Sequence, residues 1–427
     1  MSTLQPVRGT HDLLPEDMRA FRHVVETGRV TASRYGFAEM ATPIFEFSGV
    51  FARTLGDTSD IVTKEMYTFA DRKGESLTLR PEGTAGIARA FISNGLANET
   101  PFKVFYAGPM FRYERPQKGR QRQFHQIGVE LIGVPDPQAD VEVIALGRAI
   151  LDGLGLRGNV ALELNTLGDP ESRDAYRVAL VGYLAGHVGK LSADSRDRFE
   201  RNPLRILDSK DEGDREVIAD APLLGEYLNA ASRTFYDDLK NGLMDLGIDF
   251  VENPRLVRGL DYYGHTAFEF TTDALGAQGT VMAGGRYDGL IKTMGGPATA
   301  GVGWAAGVER LSMLLAEPPA AGRPVAMIPA GADPLLKREA MVLTERLRRA
   351  GFAVDLGFSG NMGKRMKRAN KVAARVAVIL GEDERLARAV TLRDLDSGEQ
   401  VTVALDRMEE SLRALLAGVP EVAVGGI

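Results

Sequence analysis

Apolar residues follow two different spacings along the chain, and the change of spacing divides the sequence into regions. Segments 1–169 and 251–316 are rich in strand patterns with glycines between them. Within residues 170–247 no strand pattern occurs, and apolar residues recur at helical spacing with charged residues on the other faces. We therefore predict one α+β domain over residues 1–320, interrupted by a helical insertion at about 170–250.

A second unit is predicted after a proline-rich linker at residues 317–324, which has few apolar side chains. Short buried-strand patterns alternate beyond it with helical patterns, and residues 333–334 have the form of a helix N-cap followed by proline. Such alternation indicates a right-handed parallel βαβ arrangement. Two later strand patterns, 390–392 and 401–403, flank a turn and indicate a closing hairpin. The sequence therefore predicts an α/β domain over residues 325–427.

The chain has 427 residues, of which 44% are apolar and 26% are charged. These values are typical of a globular protein with two or three domains. There is no cysteine, so disulfides, thiolate zinc sites and cysteine nucleophiles are excluded. The five histidines lack metal-ligand spacing, and we predict no metal held by protein side chains. We find no signal peptide and no apolar run of membrane-spanning length, which predicts a cytoplasmic protein with no membrane partner.

Residues 111–126 form the most unusual segment of the sequence. They combine five cations, four glutamines, one acid and three aromatic rings, although the whole chain has a formal charge of −6. The apolar flanks predict two strands, and residues 116–119 predict the turn of a hairpin with a basic tip. Arginines clamp phosphates, amides read base edges and rings stack on purines, so this hairpin suits a nucleotide or RNA. A solvated edge hairpin, whose charges deter aggregation, is the alternative.

Two further segments place polar side chains near turns. Glu82 and Thr84 follow a strand pattern at a proline-glycine turn, where Glu82 is placed either to hold an ammonium group or to cap the next helix. Arg258 lies between apolar residues, and a guanidinium there must meet an anion, either a ligand or an aspartate three residues on. The adjoining Tyr262 and Tyr263 either offer hydroxyls to a polar substrate or belong to the core.

Cationic side chains recur in two more places. Residues 301–311 are glycine-rich but miss the spacing of a dinucleotide-binding turn, and Arg310 on the following helix either faces phosphates or lies on the surface. Residues 361–375 carry six cations and no acid. Four of these cations share one helical face, which suits an RNA backbone, while a solvated helix face is the alternative. The four are Lys364, Lys367, Arg368 and Lys371.

Taken in order along the chain, these segments closely resemble the histidyl-tRNA synthetases of bacterial type, a family of class II aminoacyl-tRNA synthetases. The resemblance covers essentially the whole chain. The matching segments are residues 8–15, 42–44, 80–84, 111–126, 256–263, 284–290 and 301–310. The resemblance implies a catalytic domain with the class II antiparallel sheet and a helical insertion, and a C-terminal anticodon-binding domain. It also implies a homodimer, formed largely through the segment around residues 42–44.

The resemblance further implies the reaction and its partners. ATP would activate L-histidine to histidyl-adenylate and pyrophosphate, and histidine would then pass to the 3′ end of tRNA-His during translation. Mg²⁺ is implied as a cofactor that is bound mainly through the ATP phosphates. Arg112 and Arg258 are implied as the catalytic residues, because both would neutralise charge on the α-phosphate. The residues implied for ATP binding are Arg112, Glu114, Phe124 and Arg310.

The remaining implied site residues divide by the part of the substrate that they would meet. Those for the α-amino group of histidine are Glu82, Thr84 and Gln126. Those for the imidazole are Glu130 and Tyr263, and Tyr262 and Arg258 complete the histidine-binding set. The residues expected to contact tRNA lie on the hairpin tip and on the basic helix, and they are Arg115, Gln117, Lys118, Arg120, Arg122, Lys364, Lys367, Arg368 and Lys371.

The sequence departs from the family pattern at one residue, and two other functions are also compatible with the resemblance. The family is variable where Gly264 and His265 follow the tyrosine pair, and we interpret His265 as structural. The first alternative function is a histidine-binding regulatory subunit of ATP phosphoribosyltransferase, which generally lacks the C-terminal domain. The second is an RNA-binding sensor with a decayed active site. The presence of Arg112, Arg258 and Arg310 opposes both alternatives.

Overall fold

The computed structural model describes residues 4–55, 64–117, 119–209, 211–257, 262–317 and 319–417. The chain divides into two compact units, the N-terminal unit Met1–Pro319 and the C-terminal unit Ala320–Ile427. Within the described ranges, no helix combines the length and the apolar content needed to cross a membrane.

The N-terminal unit contains one large and one small sheet. Its strands are β1 (Ala38–Glu39), β2 (Phe45–Phe47), β3 (Tyr67–Ala70), β4 (Ser76–Leu79), β5 (Phe102–Phe111), β6 (Gln123–Ile132), β7 (Ala161–Thr166), β8 (Val251–Glu252), β9 (Gly264–Thr271), β10 (Thr280–Arg286) and β11 (Gly301–Gly307). The large sheet has the order β1-β5-β6-β11-β10-β9-β7-β8, and the small one has the order β2-β4-β3. Strands β5 and β6 form the predicted basic hairpin.

The large sheet is antiparallel through its centre and parallel at its two edges. Strands β1 and β5 pair in parallel, as do β7 and β8, while the pairs between them are antiparallel. The predicted α+β class is therefore confirmed, and the sheet that was expected to be antiparallel is antiparallel in its centre and mixed as a whole. Each parallel edge strand has only two residues, which is too short to give a recognisable pattern in the sequence.

The helices of the N-terminal unit are α1 (Pro15–Arg34), α2 (Ser48–Leu55), α3 (Thr84–Ser93), α4 (Gln138–Gly153), α5 (Pro170–Ala185), α6 (Ala193–Arg201), α7 (Glu212–Ala219), α8 (Ala230–Asp245), α9 (Leu290–Thr293) and α10 (Val308–Leu314). Short 3₁₀ helices lie at Leu96–Glu99, Arg157–Asn159, Val188–Lys190, Pro203–Asp208, Leu224–Tyr227 and Asp273–Gln278. Helices α5 to α8 form the helical insertion. Each begins at a polar N-cap whose side chain accepts a backbone N–H, as helix starts require, and these caps are Asp169, Ser192, Asp211 and Asn229.

Side chains alternate between the two faces of the central strands, and each face is packed differently. On one face, Phe105 and Val129 belong to the main core with residues of helices α1 and α4. On the other face, Val104 and Tyr106 join a second cluster with residues of α3 and with Tyr287. Because successive strand residues point to opposite faces, one register serves both layers. The second face carries most of the polar residues considered below.

A buried ion pair joins helix α4 to strand β10. The carboxylate of Asp140 contacts the guanidinium of Arg286, and both side chains are fully buried. The same guanidinium donates to the carbonyls of Val134 and Asp136 and to the half-exposed Asp288. Since a buried charge is tolerated only when paired and hydrogen-bonded, this network fixes α4 against the sheet.

The C-terminal unit contains five strands, β12 (Val325–Pro329), β13 (Val354–Leu356), β14 (Val376–Leu380), β15 (Ala389–Asp394) and β16 (Gln400–Ala404). Its sheet order is β13-β12-β14-β15-β16, with parallel pairing among the first three strands and antiparallel pairing beyond them. Its helices are α11 (Pro334–Arg349), α12 (Met362–Lys371), α13 (Glu382–Leu386) and α14 (Met408–Leu416). The parallel strands and the antiparallel β15–β16 pair agree with the arrangement predicted from the sequence.

Replacing Asp140 by alanine should destabilise the N-terminal unit, because it leaves the Arg286 charge buried without its partner. We expect a loss of about 3–5 kcal/mol in the free energy of unfolding. Urea titration followed by the fluorescence of Trp304 measures this loss, since Trp304 is the single tryptophan and is buried in this unit. Asp288→Ala removes a more exposed partner of the same guanidinium and should cost no more than about 1 kcal/mol. Equal losses for the two variants would contradict this account.

Candidate active site

A cavity of about 290 Å³ opens on the second face of the large sheet, beside the basic hairpin. Strands β6, β9, β10 and β11 supply part of its wall, and the hairpin and helix α10 supply more. Many residues that were predicted from the sequence to form the site meet here, although they come from distant parts of the chain. They are Glu82, Thr84, Arg112, Glu114, Arg120, Phe124, Gln126, Tyr262, Tyr263 and Arg310.

The guanidinium groups of Arg112, Arg120 and Arg310 line this cavity. Arg112 follows strand β5, donates from Nε to the carbonyl of Pro81 at 2.9 Å, and lies over the ring of Phe124 at 5.4 Å. Arg310 donates to the carbonyls of Gly119 (2.9 Å) and Thr280 (2.7 Å). Burial, together with the positive charges of Arg120 and Arg112, lowers the pKa of Arg310. Such a group of partly buried cations favours a polyanion.

The basic hairpin turns one of its cations inward. Arg120 forms a 2.5 Å ion pair with Glu114, and both residues line the cavity. Arg120 was predicted to contact RNA from the hairpin tip, and the structure places it in the cavity wall beside Arg310. Arg115 and Gln117 are exposed on the hairpin. Lys118 lies outside the described residues.

Arg122 is not part of the cavity wall. Its guanidinium stacks on the ring of Tyr113 at 3.8 Å and donates to the carbonyl of Glu114 at 3.2 Å. Its backbone N–H donates to the carbonyl of Gly9 at 2.7 Å. The contacts of Arg122 therefore tie the hairpin to the N-terminal segment.

Glu82 has the capping role that its sequence position offered, and it also lies at the cavity. Its carboxylate accepts the backbone N–H groups of Thr84 (2.6 Å) and Ala85 (2.8 Å), so it caps helix α3. It also lines the cavity, where it is 5% exposed. Burial raises the pKa of Glu82, although the two backbone hydrogen bonds oppose the shift.

Glu130 lies just behind the cavity wall, in a fully buried polar cluster. Its carboxylate accepts the hydroxyls of Thr84 (2.7 Å), Tyr287 (2.5 Å) and, at a longer 3.5 Å, Tyr106. Burial raises the pKa of Glu130 to about 8, against the lowering effect of the hydroxyls of Thr84 and Tyr287. A Cβ on Gly303 would lie 1.9 Å from a Glu130 oxygen, so this strand position must be glycine. Of this cluster, Thr84 also lines the cavity.

Two tyrosines and a glutamine complete the wall next to this cluster. The rings of Tyr262 and Tyr263 lie 4.5 Å apart, and Tyr262 is 5.9 Å from Tyr287. Burial and the neighbouring Tyr263 raise the pKa of Tyr262 well above its usual range. The side-chain oxygen of Gln126 is buried with no hydrogen-bond partner among the described residues. Since buried polar atoms are normally satisfied, this oxygen indicates a ligand with an N–H donor.

Arg258 was predicted to be catalytic, but it lies outside the described residues, as does the nearby Asp261 that was its alternative partner. His265 is the second residue of strand β9, has a φ of 46°, and stacks on Phe235 of helix α8 at 4.5 Å. It is absent from the cavity wall. This placement is compatible with the structural interpretation of His265.

The basic helix of the C-terminal unit presents its cations unequally. Lys364, Lys367 and Lys371 are exposed on α12. Arg368 is also exposed, but it pairs with Asp355 through contacts of 2.8 and 2.7 Å. The pairing with Asp355 partly neutralises the positive charge of Arg368. The three lysines therefore supply most of the positive charge on this face of the helix.

Several residues near the cavity were not assigned from the sequence. Tyr106 lies in the apolar flank before the basic hairpin and Tyr287 lies in the matching segment 284–290, and neither residue was given a role. Glu309 lines the cavity and accepts the backbone N–H (3.0 Å) and ring Nδ1 (2.8 Å) contacts of His125. The position of Glu309 directly before Arg310 is the feature of the sequence from which its place at the cavity could have been predicted. Glu269 of β9 also lines the wall.

Comparison with known proteins places this geometry in context. Residues 9–311 match the family described as histidyl-tRNA synthetase, and residues 324–415 match the family described as anticodon binding domain. A protein of Rhodospirillum rubrum named histidine–tRNA ligase is 66% identical over 417 residues, which cover 97% of this chain and 100% of the relative. A protein of Gluconacetobacter diazotrophicus with the same name is 58% identical over 415 residues, with coverage of 97% and 100%. The crystal structure of apo S. aureus histidyl-tRNA synthetase superposes with a TM-score of 0.81 at 34% identity, covering 96% of this chain and 99% of that one.

The raised pKa of Glu130 predicts a pH-dependent contribution to stability. The folded pKa of about 8 exceeds the ordinary value of 4.5, so the protonated form favours folding. Stability from this group is complete below pH 4.5 and is lost as the pH rises to about 8. The stability of the wild type relative to Glu130→Gln should therefore fall from pH 5 to about pH 8 and level off above it. Urea titrations across this range measure the difference.

The matched control for this measurement is Glu75→Gln, which changes an exposed carboxyl in the same unit. For each variant, the difference in free energy of unfolding from the wild type is plotted against pH. If this difference changes with pH no more steeply for Glu130→Gln than for Glu75→Gln, the raised pKa of Glu130 is contradicted.

Proposed function

The chain belongs to the histidyl-tRNA synthetase family and has the activity of a histidine–tRNA ligase, and we propose that the cavity described above is where L-histidine, ATP and tRNA-His react. The observation that carries this assignment of the cavity is the meeting of Arg112 and Arg310 with a buried polar cluster around Glu130. The guanidiniums suit a triphosphate, and the cluster suits a polar ring.

In the first step, a carboxylate oxygen of histidine attacks the α-phosphorus of ATP. A bond forms between that oxygen and phosphorus, the bond from the α-phosphorus to its bridging oxygen breaks, and pyrophosphate leaves. The carboxylate is already ionised, so no general base is needed. Negative charge accumulates on the phosphate oxygens, and preorganised guanidiniums stabilise that charge. We assign Arg112 to the α-phosphate and the histidine carboxylate, Arg258 to the α-phosphate, and Arg310 to the γ-phosphate.

The adenine is assigned to the part of the cavity beside the hairpin. Phe124 offers a ring face for stacking, and Glu114 offers a carboxylate to the exocyclic amine. Because Arg120 already pairs with Glu114 at 2.5 Å, we include Arg120 in the ATP site. In the second step, the terminal adenosine hydroxyl of tRNA-His attacks the adenylate carbonyl, and AMP leaves.

Histidine is assigned to the end of the cavity near helix α3. Glu82, Thr84 and Gln126 are assigned to its ammonium group, which suits the unpartnered oxygen of Gln126. Tyr262, Tyr263 and Glu130 are assigned to the imidazole side, with Glu130 acting from behind the Thr84 hydroxyl. A pocket with polar groups to satisfy rejects apolar amino acids strongly, since those groups would then be left unpaired.

The wall also fits magnesium that arrives with ATP. No cluster of three or more potential metal-ligating side chains occurs in the part of the chain that the structure describes. Glu269 and Glu309 line the cavity, so the protein offers the one or two carboxylates that suit an ion held mainly by phosphates and water. When bound, Mg²⁺ neutralises phosphate charge.

The small sheet supports the proposal of a homodimer. Its strands β2 and β3 expose Phe45, Phe47 and Phe69, and Ile44 is exposed beside them. Phe47 and Phe69 both pair with Leu77 in register, so they form an apolar row across the sheet. An exposed apolar row of this kind marks a protein interface. We assign it to a second copy of the chain, working in the cytoplasm where translation occurs.

The regulatory-subunit alternative is not favoured. Relatives that match the whole chain carry the ligase name, and residues 324–415 match an anticodon-binding family. The cavity also contains the cations that ATP activation requires. An RNA sensor with a decayed site is opposed by the same groups.

Arg112→Ala should slow histidine-dependent ATP–pyrophosphate exchange by roughly 10²–10³-fold, because the transition-state charge loses one fixed donor. The matched variant is Arg115→Ala, which removes an exposed guanidinium of the same hairpin. It should leave exchange close to wild type and reduce the charging of tRNA-His. Isotope exchange and charging assays measure the two steps separately. Comparable exchange by wild type and Arg112→Ala would remove the basis for this site.

Replacing the three exposed lysines of α12 by alanine should weaken tRNA-His binding without changing exchange, because these lysines are assigned to the RNA backbone. The slope of log Kd against log salt concentration should decrease by about 1 for each phosphate that the variant no longer neutralises. Filter binding at several salt concentrations measures this slope. The variant carries Lys364→Ala, Lys367→Ala and Lys371→Ala.

The control removes the same charge from exposed positions of α11, through Lys337→Ala, Arg338→Ala and Arg349→Ala. If both triple variants weaken binding equally, the effect follows net charge, and the assignment of α12 fails.

A further inference from the structure

The carbonyls of Leu256 and Tyr263 both accept hydrogen bonds from side chains near one junction of the fold. The Nδ2 of Asn165 in strand β7 donates to the carbonyl of Leu256 at 2.8 Å. The guanidinium of Arg173 donates to the carbonyl of Tyr263 at 2.7 Å. Asn165 and Arg173 flank the junction between β7 and α5, where the helical insertion leaves the sheet. The insertion therefore contacts the backbone of a residue assigned to histidine.

Arg173 lies in a first helical turn that is itself firmly held. Asp169 caps α5 by accepting the N–H of Ser172 at 2.8 Å, and it also accepts from the Nδ2 of Asn229 at 2.8 Å. Burial alone would raise the pKa of Asp169, but these hydrogen bonds lower it to about 2. Because Asn229 is the N-cap of α8, two helices of the insertion brace the turn that carries Arg173.

The surroundings of Tyr263 show why this hydrogen bond matters for its position. On one side the ring lies against the backbone of β10, since a Cβ on Gly285 would come within 2.8 Å of it. Tyr263 also borders a second cavity of about 130 Å³, which is lined by Arg173, Tyr176 and Leu224 as well. Packing against β10 therefore restrains the ring, while the second cavity leaves space beside the residue. The hydrogen bond from Arg173 helps to hold the Tyr263 backbone in place beside this space.

We propose that Arg173 is a positioning residue for histidine recognition. By fixing the carbonyl of Tyr263, it sets the point at which the tyrosine side chain meets the imidazole, so the helical insertion contributes to amino-acid selection. This inference rests on the proposed function, in which Tyr263 faces the imidazole. A displacement of about 1 Å in a positioned group can lower a rate on the order of a hundredfold, so one hydrogen bond is enough to matter.

The test compares exchange kinetics of full-length wild type and Arg173→Ala, with L-histidine and ATP varied in turn. We expect kcat/KM for histidine to fall about 10- to 100-fold, mainly through KM, with little change in KM for ATP. Thiazolylalanine has a ring that lacks the N–H of imidazole. The ratio of kcat/KM for histidine to kcat/KM for thiazolylalanine should also fall, because a displaced tyrosine distinguishes the two rings less well. Arg173→Lys keeps a hydrogen-bond donor, so its kcat/KM for histidine should lie between the values of the wild type and Arg173→Ala.

The matched control is Arg177→Ala, which removes an exposed guanidinium one turn along the same helix. Thermal unfolding of each variant separates local from global effects. Equal values of KM for histidine in Arg173→Ala and Arg177→Ala would overturn the inference. Parallel rises in both KM values with a lower Tm would also overturn it, because they would show that Arg173 only attaches the insertion. Absence of histidine-dependent exchange in the wild type would instead refute the proposed function.

Discussion

The register between β5 and β6 is the constraint on which the rest of the structure depends. In β6, Gln126 and Glu130 point to the face that carries the cavity, while Val129 and Leu131 point to the core against α1 and α4. The pairing of Val104 with Glu130 and of Gly108 with Gln126 fixes this division. A slip of one residue would exchange the two faces, placing polar groups in the core and apolar ones in the cavity.

The cavity combines opposite charges within a chain that is acidic overall. Its cations are set among carboxylates, as the pair between Arg120 and Glu114 shows. Such pairing lets the cations be partly buried before a substrate arrives, since an isolated buried charge would be costly. A formal charge of −6 for the whole chain is therefore compatible with a strongly cationic patch at one place. The local arrangement, and not the net charge, decides which ligand fits.

Much of the fold could be predicted from the sequence, because each main element carries its own local pattern. The α/β arrangement of the C-terminal unit and the helical stripe of the insertion are of this kind. The candidate site was less accessible. The hydroxyls of Tyr106 and Tyr287 converge on Glu130 from positions 24 and 157 residues away in the chain, and no local pattern encodes such a meeting. The inward turn of Arg120 was also missed, since hairpin residues point to either face according to turn geometry.

Gly303 has a consequence for chemical intervention at this site. Even a methyl group there would overlap a Glu130 oxygen and the carbonyl of Val129, at 1.9 and 2.4 Å. A compound that bound against Thr84, in front of this cluster, could therefore not be displaced by a larger side chain at position 303. Point mutations that weaken the binding of such a compound would have to arise at other positions.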